Sequence, residues 1–244
     1  GPVHLNLPIN MMKKEVNDQI GHALKTAIRL FDRQGVKEAA RKLVTAKHPF
    51  IIAGWGVSLS RGAYELLELA QLLQVPVATS PKGKGVFPEN HPLSLGVLGF
   101  AGNPAASEYI IEEDVDVMLA VGTSFNEMMT TGWNQKLAPS DALIHIDINH
   151  ESIGKNYTAE IGLEGDARAT LKELSKEILE ERSARGIKVF SLADRVALLK
   201  GRERENDADT EVNETALYHP MQLVRDLRAS CPEETIFFAD MGNI

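Results

Sequence analysis

The sequence predicts an α/β fold: a three-layer, doubly wound, mainly parallel sheet of about six strands, Rossmann-like and of the nucleotide-binding type. Three observations carry this. Runs of Val, Ile, Leu and Ala nearly free of charge recur along the chain as "FIIA", "VPVA", "VMLAV" and "ALIHI". Strands that are apolar on both faces belong in a parallel sheet covered on both sides. Segments of helical period separate these runs, and glycine-rich turns follow several of them.

The elements follow in order. Residues 1–12, "GPVHLNLPINMM", alternate apolar and polar residues around two prolines and read as an extended arm. Residues 13–33 are expected as a linking helix. In "VKEAARKLVTA", Val36, Ala39, Ala40, Leu43 and Val44 share one helical face. "HPFIIAGWG" is a strand that ends in glycines. "SLSRGAYELLELAQLLQ" reads as one helix with Tyr64, Leu67, Leu69, Leu72 and Leu73 inward, and "VPVATS" is the next strand.

A loop rich in Gly and Pro then spans residues 83–104, "GKGVFPENHPLSLGVLGFAGNP". A loop of that length in a compact domain is usually functional. Asn103 reads as an N-cap with Pro104 at the first helical position. "VDVMLAVG" and "ALIHIDIN" are two more buried strands. Glu112, Glu113, Asp114 and Asp116 read as a solvated helix end. Asp166 caps the closing helix, "ARATLKELSKEILEE". One α/β domain is therefore expected over residues 34–183.

Residues 184–217 have weak apolar periodicity and end in an acidic run, as in a connecting segment that rides over a surface. Residues 218–244 start afresh with a helix and a strand. Those two elements cannot make a core, so they are expected to open a further domain. By the same reading the arm at 1–12 closes an earlier one.

Composition removes several function classes. A net charge of −8 argues against a nucleic-acid partner, which needs clustered Lys and Arg. The longest apolar runs are too short to cross a bilayer. A lone cysteine, Cys231, excludes an internal disulfide and fits a reducing, cytoplasmic compartment. The seven histidines include no i, i+4 pair of the kind that binds zinc on a helix. His145, between Ile144 and Ile146 in a strand, reads as a structural residue.

Gly54 and Gly56 supply the first two glycines of a dinucleotide fingerprint. Leu59 stands where the third belongs, and Thr79 and Ser80 replace the acid expected roughly twenty residues on. A standard NAD site therefore fails on two of its parts. The glycines at the ends of these strands admit two readings: close approach of backbone to a phosphate or ribose, or tight strand termination. Asp147 likewise stands where a carboxylate meets a ribose or caps a turn.

Four blocks carry a resemblance. "GPVHLNLPIN", "GVFPENHPLSLGVLGFAGNPAA", "IHIDINHESIGKNY" with "LEGDARATLKEL", and "HPMQLVRDLRASCPEETIFFADMGN" resemble, in order, stretches of thiamine diphosphate-dependent enzymes of the acetolactate synthase type. The resemblance implies a three-domain parent. Residues 1–12 would end its pyrimidine-binding domain, 34–183 form its central domain and 218–244 begin its diphosphate-binding domain.

The resemblance also implies a parent enzyme that uses thiamine diphosphate and Mg²⁺, acts on 2-keto acids such as pyruvate, and assembles as a homodimer or homotetramer. The activating glutamate and the metal motif would lie outside this chain, leaving no catalytic residue in it. Gly242 and Asn243 match the turn near the diphosphate. Gly54, Gly56, Gly99, Phe100, Gly102, Gly122, Thr123, Asp147, Asn149 and Asp166 match places that contact FAD, or another nucleotide, in relatives that bind one. The chain departs from the flavin-binding synthases at Phe100-Ala101-Gly102, in place of Met-His-Gly. It departs again at Ser124–Met128, where two arginines are missing. Alternatives are a 2-keto acid decarboxylase, a pyruvate oxidase, or a nucleotide-binding module without catalysis.

Overall fold

The computed structural model describes residues 32–100, 102–188, 191–208 and 220–238. Six strands form one all-parallel sheet in the order β3-β2-β1-β4-β5-β6. They are β1 (Phe50–Ala53), β2 (Val77–Thr79), β3 (Ser94–Val97), β4 (Val117–Val121), β5 (Ala142–Asp147) and β6 (Ile161–Glu164). The order runs outward from β1 in one direction and from β4 in the other, so the topological switch lies between β1 and β4.

Strand alternation divides the interior in two. Ile51, Val77, Leu119, Val121, Ile144, Ile146 and Leu163 face a layer built from α1 (Arg33–Thr45), α3 (Ala63–Leu73) and α6 (Ala167–Arg185). Their neighbours Phe50, Ile52, Ala78, Met118, Ala120 and Leu143 face the opposite layer, with α4 (Pro104–Glu112) and α7 (Ala193–Ala208). This is the three-layer doubly wound fold that the apolar runs predict.

Several local expectations need correction. The helix expected over 58–74 is broken into α2 (Trp55–Leu59) and α3. Arg61 takes a left-handed backbone (φ 57°) at the break, and Gly62 passes close to the backbone of Arg168. The break rotates the inward face to Leu66, Leu69, Ala70 and Leu73, leaving Tyr64 exposed. The long loop contains β3, short and glycine-interrupted, which pairs with β2 across an irregular register. Only its tertiary partner makes it a strand. β6 is the other strand that no bare apolar run announced.

Asn103 occupies the N-cap position of α4, but its side chain does not cap; its Oδ1 accepts from the Val97 amide instead (2.9 Å). Asp166 does cap α6, accepting from the Ala169 amide (2.9 Å).

The acidic run is not a solvated helix end. Asp116 accepts from the amides of Lys47, His48 and Val117. Glu112 pairs with Arg195 and Arg202, and Glu113 with Arg195. These pairs hold α7 on α4, with Val196 and Leu199 buried beneath. Within the segment expected as a connector, α7 is thus a helix packed on α4.

Within α7, Gly201 has open space where a Cβ would go and no left-handed φ. Gly201→Ala is therefore expected to stabilise the folded chain by roughly 0.5–1 kcal/mol through helix propensity. A chemical denaturation series on the two proteins would measure it.

At the far end, α8 (Pro220–Ser230) forms as expected. The strand expected after it does not: residues 235–238 join no sheet, and Ile236 and Phe238 are largely exposed. A strand needs a neighbour to hydrogen-bond. The arm at 1–12 and the linking helix at 13–33, up to residue 31, lie outside the described residues.

Candidate functional site

In a doubly wound sheet, ligands bind beyond the carboxyl ends of the strands. Ten of the twelve candidate residues fall on that edge. Gly54 and Gly56 follow β1, Gly99 to Gly102 follow β3, Gly122 and Thr123 follow β4, Asp147 and Asn149 close β5, and Asp166 follows β6. Gly242 and Asn243 lie outside the described residues.

The turns on this edge are bonded to one another. The Gly54 amide donates to Val121 O (2.8 Å), Gly56 to Gly122 O (3.0 Å), and Gly122 to Ile146 O (2.8 Å). A Cβ on Gly54 would stand 2.2 Å from Gly122 O, and one on Gly56 would stand 2.6 Å from Gly122 Cα. At Gly54, Gly56 and Gly122 the close approach is of one backbone turn to another, as tight strand termination requires.

Farther along the edge, the Phe100 amide donates to Met128 O (2.8 Å), and a Cβ on Gly99 would strike Met128 and Met129. The Phe100 side chain points to solvent. Thr123 is buried and gives its hydroxyl to Met129 Sδ.

The block "IHIDINHESIGKNY" works as a latch between turns. His145 is buried. Its Nε2 lies 2.9 Å from Thr123 O and its Nδ1 3.3 Å from the Gly154 amide. A carbonyl can only accept and an amide N–H can only donate, so the imidazole is neutral with its proton on Nε2. Burial pushes its pKa below the ordinary histidine value, opposed by the bond to Thr123 and by Asp147. Asn156 donates through Nδ2 to Ser124 O (2.9 Å) and Phe125 O (3.0 Å). The Tyr157 hydroxyl donates to Asn134 O (2.9 Å). His145 is the structural residue that its strand position predicts.

A cleft of about 160 Å³ opens on this edge, lined by Gly56, Leu59, Ser60, Gly122, Asp147, Ile148, Gly165, Asp166 and Ala167. It joins Gly56, Gly122, Asp147 and Asp166 from the predicted set. Gly54, Gly99, Phe100, Gly102, Thr123 and Asn149 are not in its lining. Leu59, Ser60, Ile148, Gly165 and Ala167 were not anticipated; of these Gly165 and Ala167, on either side of the capping Asp166, carried a local signal. Asp147 Oδ1 accepts from the Asn149 amide (2.8 Å), so it caps a turn at the mouth of the cleft. Among the described residues, no group of three or more His, Cys, Asp or Glu could hold a metal ion, and no helix is long and apolar enough to cross a membrane.

Comparison with known proteins bears on the same residues. The family described as "Thiamine pyrophosphate enzyme, central domain" matches residues 36–174, more than half of the 244. A probable acetolactate synthase large subunit from Methanocaldococcus jannaschii is 38% identical over 184 residues, 71% of this chain and 30% of that protein. Sulfoacetaldehyde acetyltransferase from Rhodobacter capsulatus is 29% identical over 257 residues, 99% of this chain and 43% of that protein. The chain thus spans less than half the length of these relatives. A solved benzoylformate decarboxylase from Polynucleobacter necessarius superposes with a TM-score of 0.57 at 22% identity, over 70% of this chain and 32% of that one. At that identity the likeness concerns the fold alone.

Proposed function

Because the chain belongs to the thiamine pyrophosphate enzymes, as a central domain, we propose that the protein it builds is a thiamine diphosphate- and Mg²⁺-dependent enzyme of the acetolactate synthase type. Thiamine diphosphate, when bound, supplies the chemistry that decarboxylates pyruvate and passes the two-carbon unit to a second 2-keto acid. The observation that carries this reading is the 38% identity to an acetolactate synthase large subunit across the central domain.

The domain's own part is mechanical. Its carboxyl-edge turns bond to one another, through Gly54–Val121, Gly56–Gly122, His145–Thr123 and Asn156–Ser124. No nucleophile with an adjacent base converges on the cleft lining. Such an edge holds flanking domains in register and excludes water from their junction. Gly242 and Asn243 are the residues of this chain that would approach the diphosphate, in a cytoplasmic homodimer or homotetramer.

A second reading has its own support: the sulfoacetaldehyde acetyltransferase matches 99% of the chain, the synthase 71%. The full-length protein, supplied with thiamine diphosphate, Mg²⁺ and pyruvate, is expected to form acetolactate. Consumption of sulfoacetaldehyde in its place would favour the second reading. Turnover of neither would defeat both. The 244-residue chain alone is expected to release no CO₂ from pyruvate under the same conditions.

A further inference from the structure

We propose that the carboxyl-edge cleft excludes diphosphate-bearing nucleotides, so that this domain carries no flavin at the positions where the sequence resemblance implies one. The inference is independent of which acceptor the parent enzyme uses.

Three features of the cleft agree. The first is its size. Sites for small molecules usually enclose roughly 300–1,000 Å³, and this cleft offers about 160 Å³. A ribose-sized group fits; a dinucleotide laid across the switch point does not, because the β1 and β4 turns are in backbone contact there.

The second is charge. Asp147 and Asp166 are both in the lining, and none of the described lining residues is a cation. Arg168, two residues beyond Asp166, is committed to Glu65 (2.6 Å). Lys84, on the neighbouring turn, pairs with Glu89 (3.7 Å). A diphosphate entering the cleft would meet two carboxylates and no cationic lining residue.

The third is the supply of donors. Phosphates at such edges are gripped by free backbone N–H groups of glycine turns and by a helix N-terminus. Here the amides of Gly54, Gly56, Gly122 and Gly165 are all bonded to backbone carbonyls. The first turn of α6 already has its own anion, the Asp166 carboxylate on the Ala169 amide. The site is built closed.

The test is a titration of the purified full-length protein, and of the 244-residue chain beside it, with FAD and with ADP. Flavin fluorescence and melting temperature are the readouts. Both proteins are expected to purify without flavin, to leave FAD fluorescence unquenched and to hold their melting temperatures in either nucleotide. Stoichiometric FAD in the purified protein, or saturable binding of FAD or ADP with a rise in melting temperature, would overturn the proposal.

Asp147→Lys, which replaces a repelling charge with an attracting one at the mouth of the cleft, is expected to acquire weak ADP binding. A folded Asp147→Lys protein as indifferent to ADP as the native one would refute the role given to the carboxylates. Should that variant not fold, Asp147→Asn, which keeps the acceptor for the Asn149 amide, replaces it with the same expectation.

Discussion

Gly54→Ala should lower the stability of the folded chain by about 3 kcal/mol or more. Nothing in the backbone torsions of Gly54 forbids alanine: φ is −109° and ψ is −171°, a conformation that L-residues adopt freely. The cost is steric. The added Cβ would stand 2.2 Å from Gly122 O, 2.6 Å from Thr123 Cβ and 2.8 Å from Thr123 Cα. Relief requires the β4 turn to move away from β1. That movement breaks the Gly54–Val121 and Gly56–Gly122 bonds at the buried end of the two central strands. For a chain of this size the melting temperature should fall by about 6–12 °C. Gly85→Ala separates this from the general cost of losing a glycine. Gly85 has φ +90° but open space around it, so it should lose only the left-handed penalty, roughly 1–2 kcal/mol. Equal losses in the two variants would show that the closeness of the β1 and β4 turns does not matter.

That contact also shows how far the residues could be read in advance. The core strands were legible because each is a bare apolar run whose alternate residues face opposite layers, as Phe50 and Ile52 do against Ile51. β3 was not. Its sequence, "SLGV", is short and glycine-interrupted, and it exists by virtue of its bonds to β2. The break between α2 and α3 was hidden for a related reason: a helical period persists through "SLSRGAYELL", and only packing against Arg168 shows why the chain stops at Gly62.

At the candidate site, chain position placed the glycines on the correct edge but could not say what they approach. A glycine that lets a phosphate near and one that lets a second turn near look identical in sequence. The structure adds that Gly54, Gly56 and Gly122 meet each other across the switch point. Asp166 was readable as a cap because capping is local. The ion pairs from Glu112 and Glu113 to α7 span more than eighty residues of chain and left no local trace.

His145 makes the second large prediction, in two parts. His145→Leu removes the partner of the Thr123 carbonyl and of the Gly154 amide inside the protein. Leaving a buried polar group unpaired costs about 1–3 kcal/mol. That applies in full to the Thr123 carbonyl and in part to the half-buried Gly154 amide. A loss of roughly 1–4 kcal/mol is therefore expected, with the 123–125 and 154–157 turns losing hydrogen-exchange protection first. The second part is pH dependence. Burial lowers the pKa of His145 from its ordinary 6.5, so the folded state holds the neutral ring at a pH where the unfolded chain takes up a proton. Above about 6.5 the ring is neutral in both states, and its contribution is complete. As pH falls below 6.5 the unfolded state gains protons that the folded state refuses. Stability then declines, by at most about 1.4 kcal/mol per pH unit from this residue, until the folded pKa is passed. His91 is shifted in the same direction by burial and would add a slope of the same sign. The measurement is therefore made in a His91→Gln background, by denaturation at intervals from pH 8 to pH 5. Glu65, Glu173 and Glu181 are held below their ordinary 4.5 and lose their contributions only at lower pH. Over the window from 6.5 to 5, the His145 protein should therefore slope and the His145→Leu protein should stay flat. Parallel curves would mean that the imidazole becomes charged in place, and that the latch between the β4 turn and the Gly154 turn does not depend on the neutral ring.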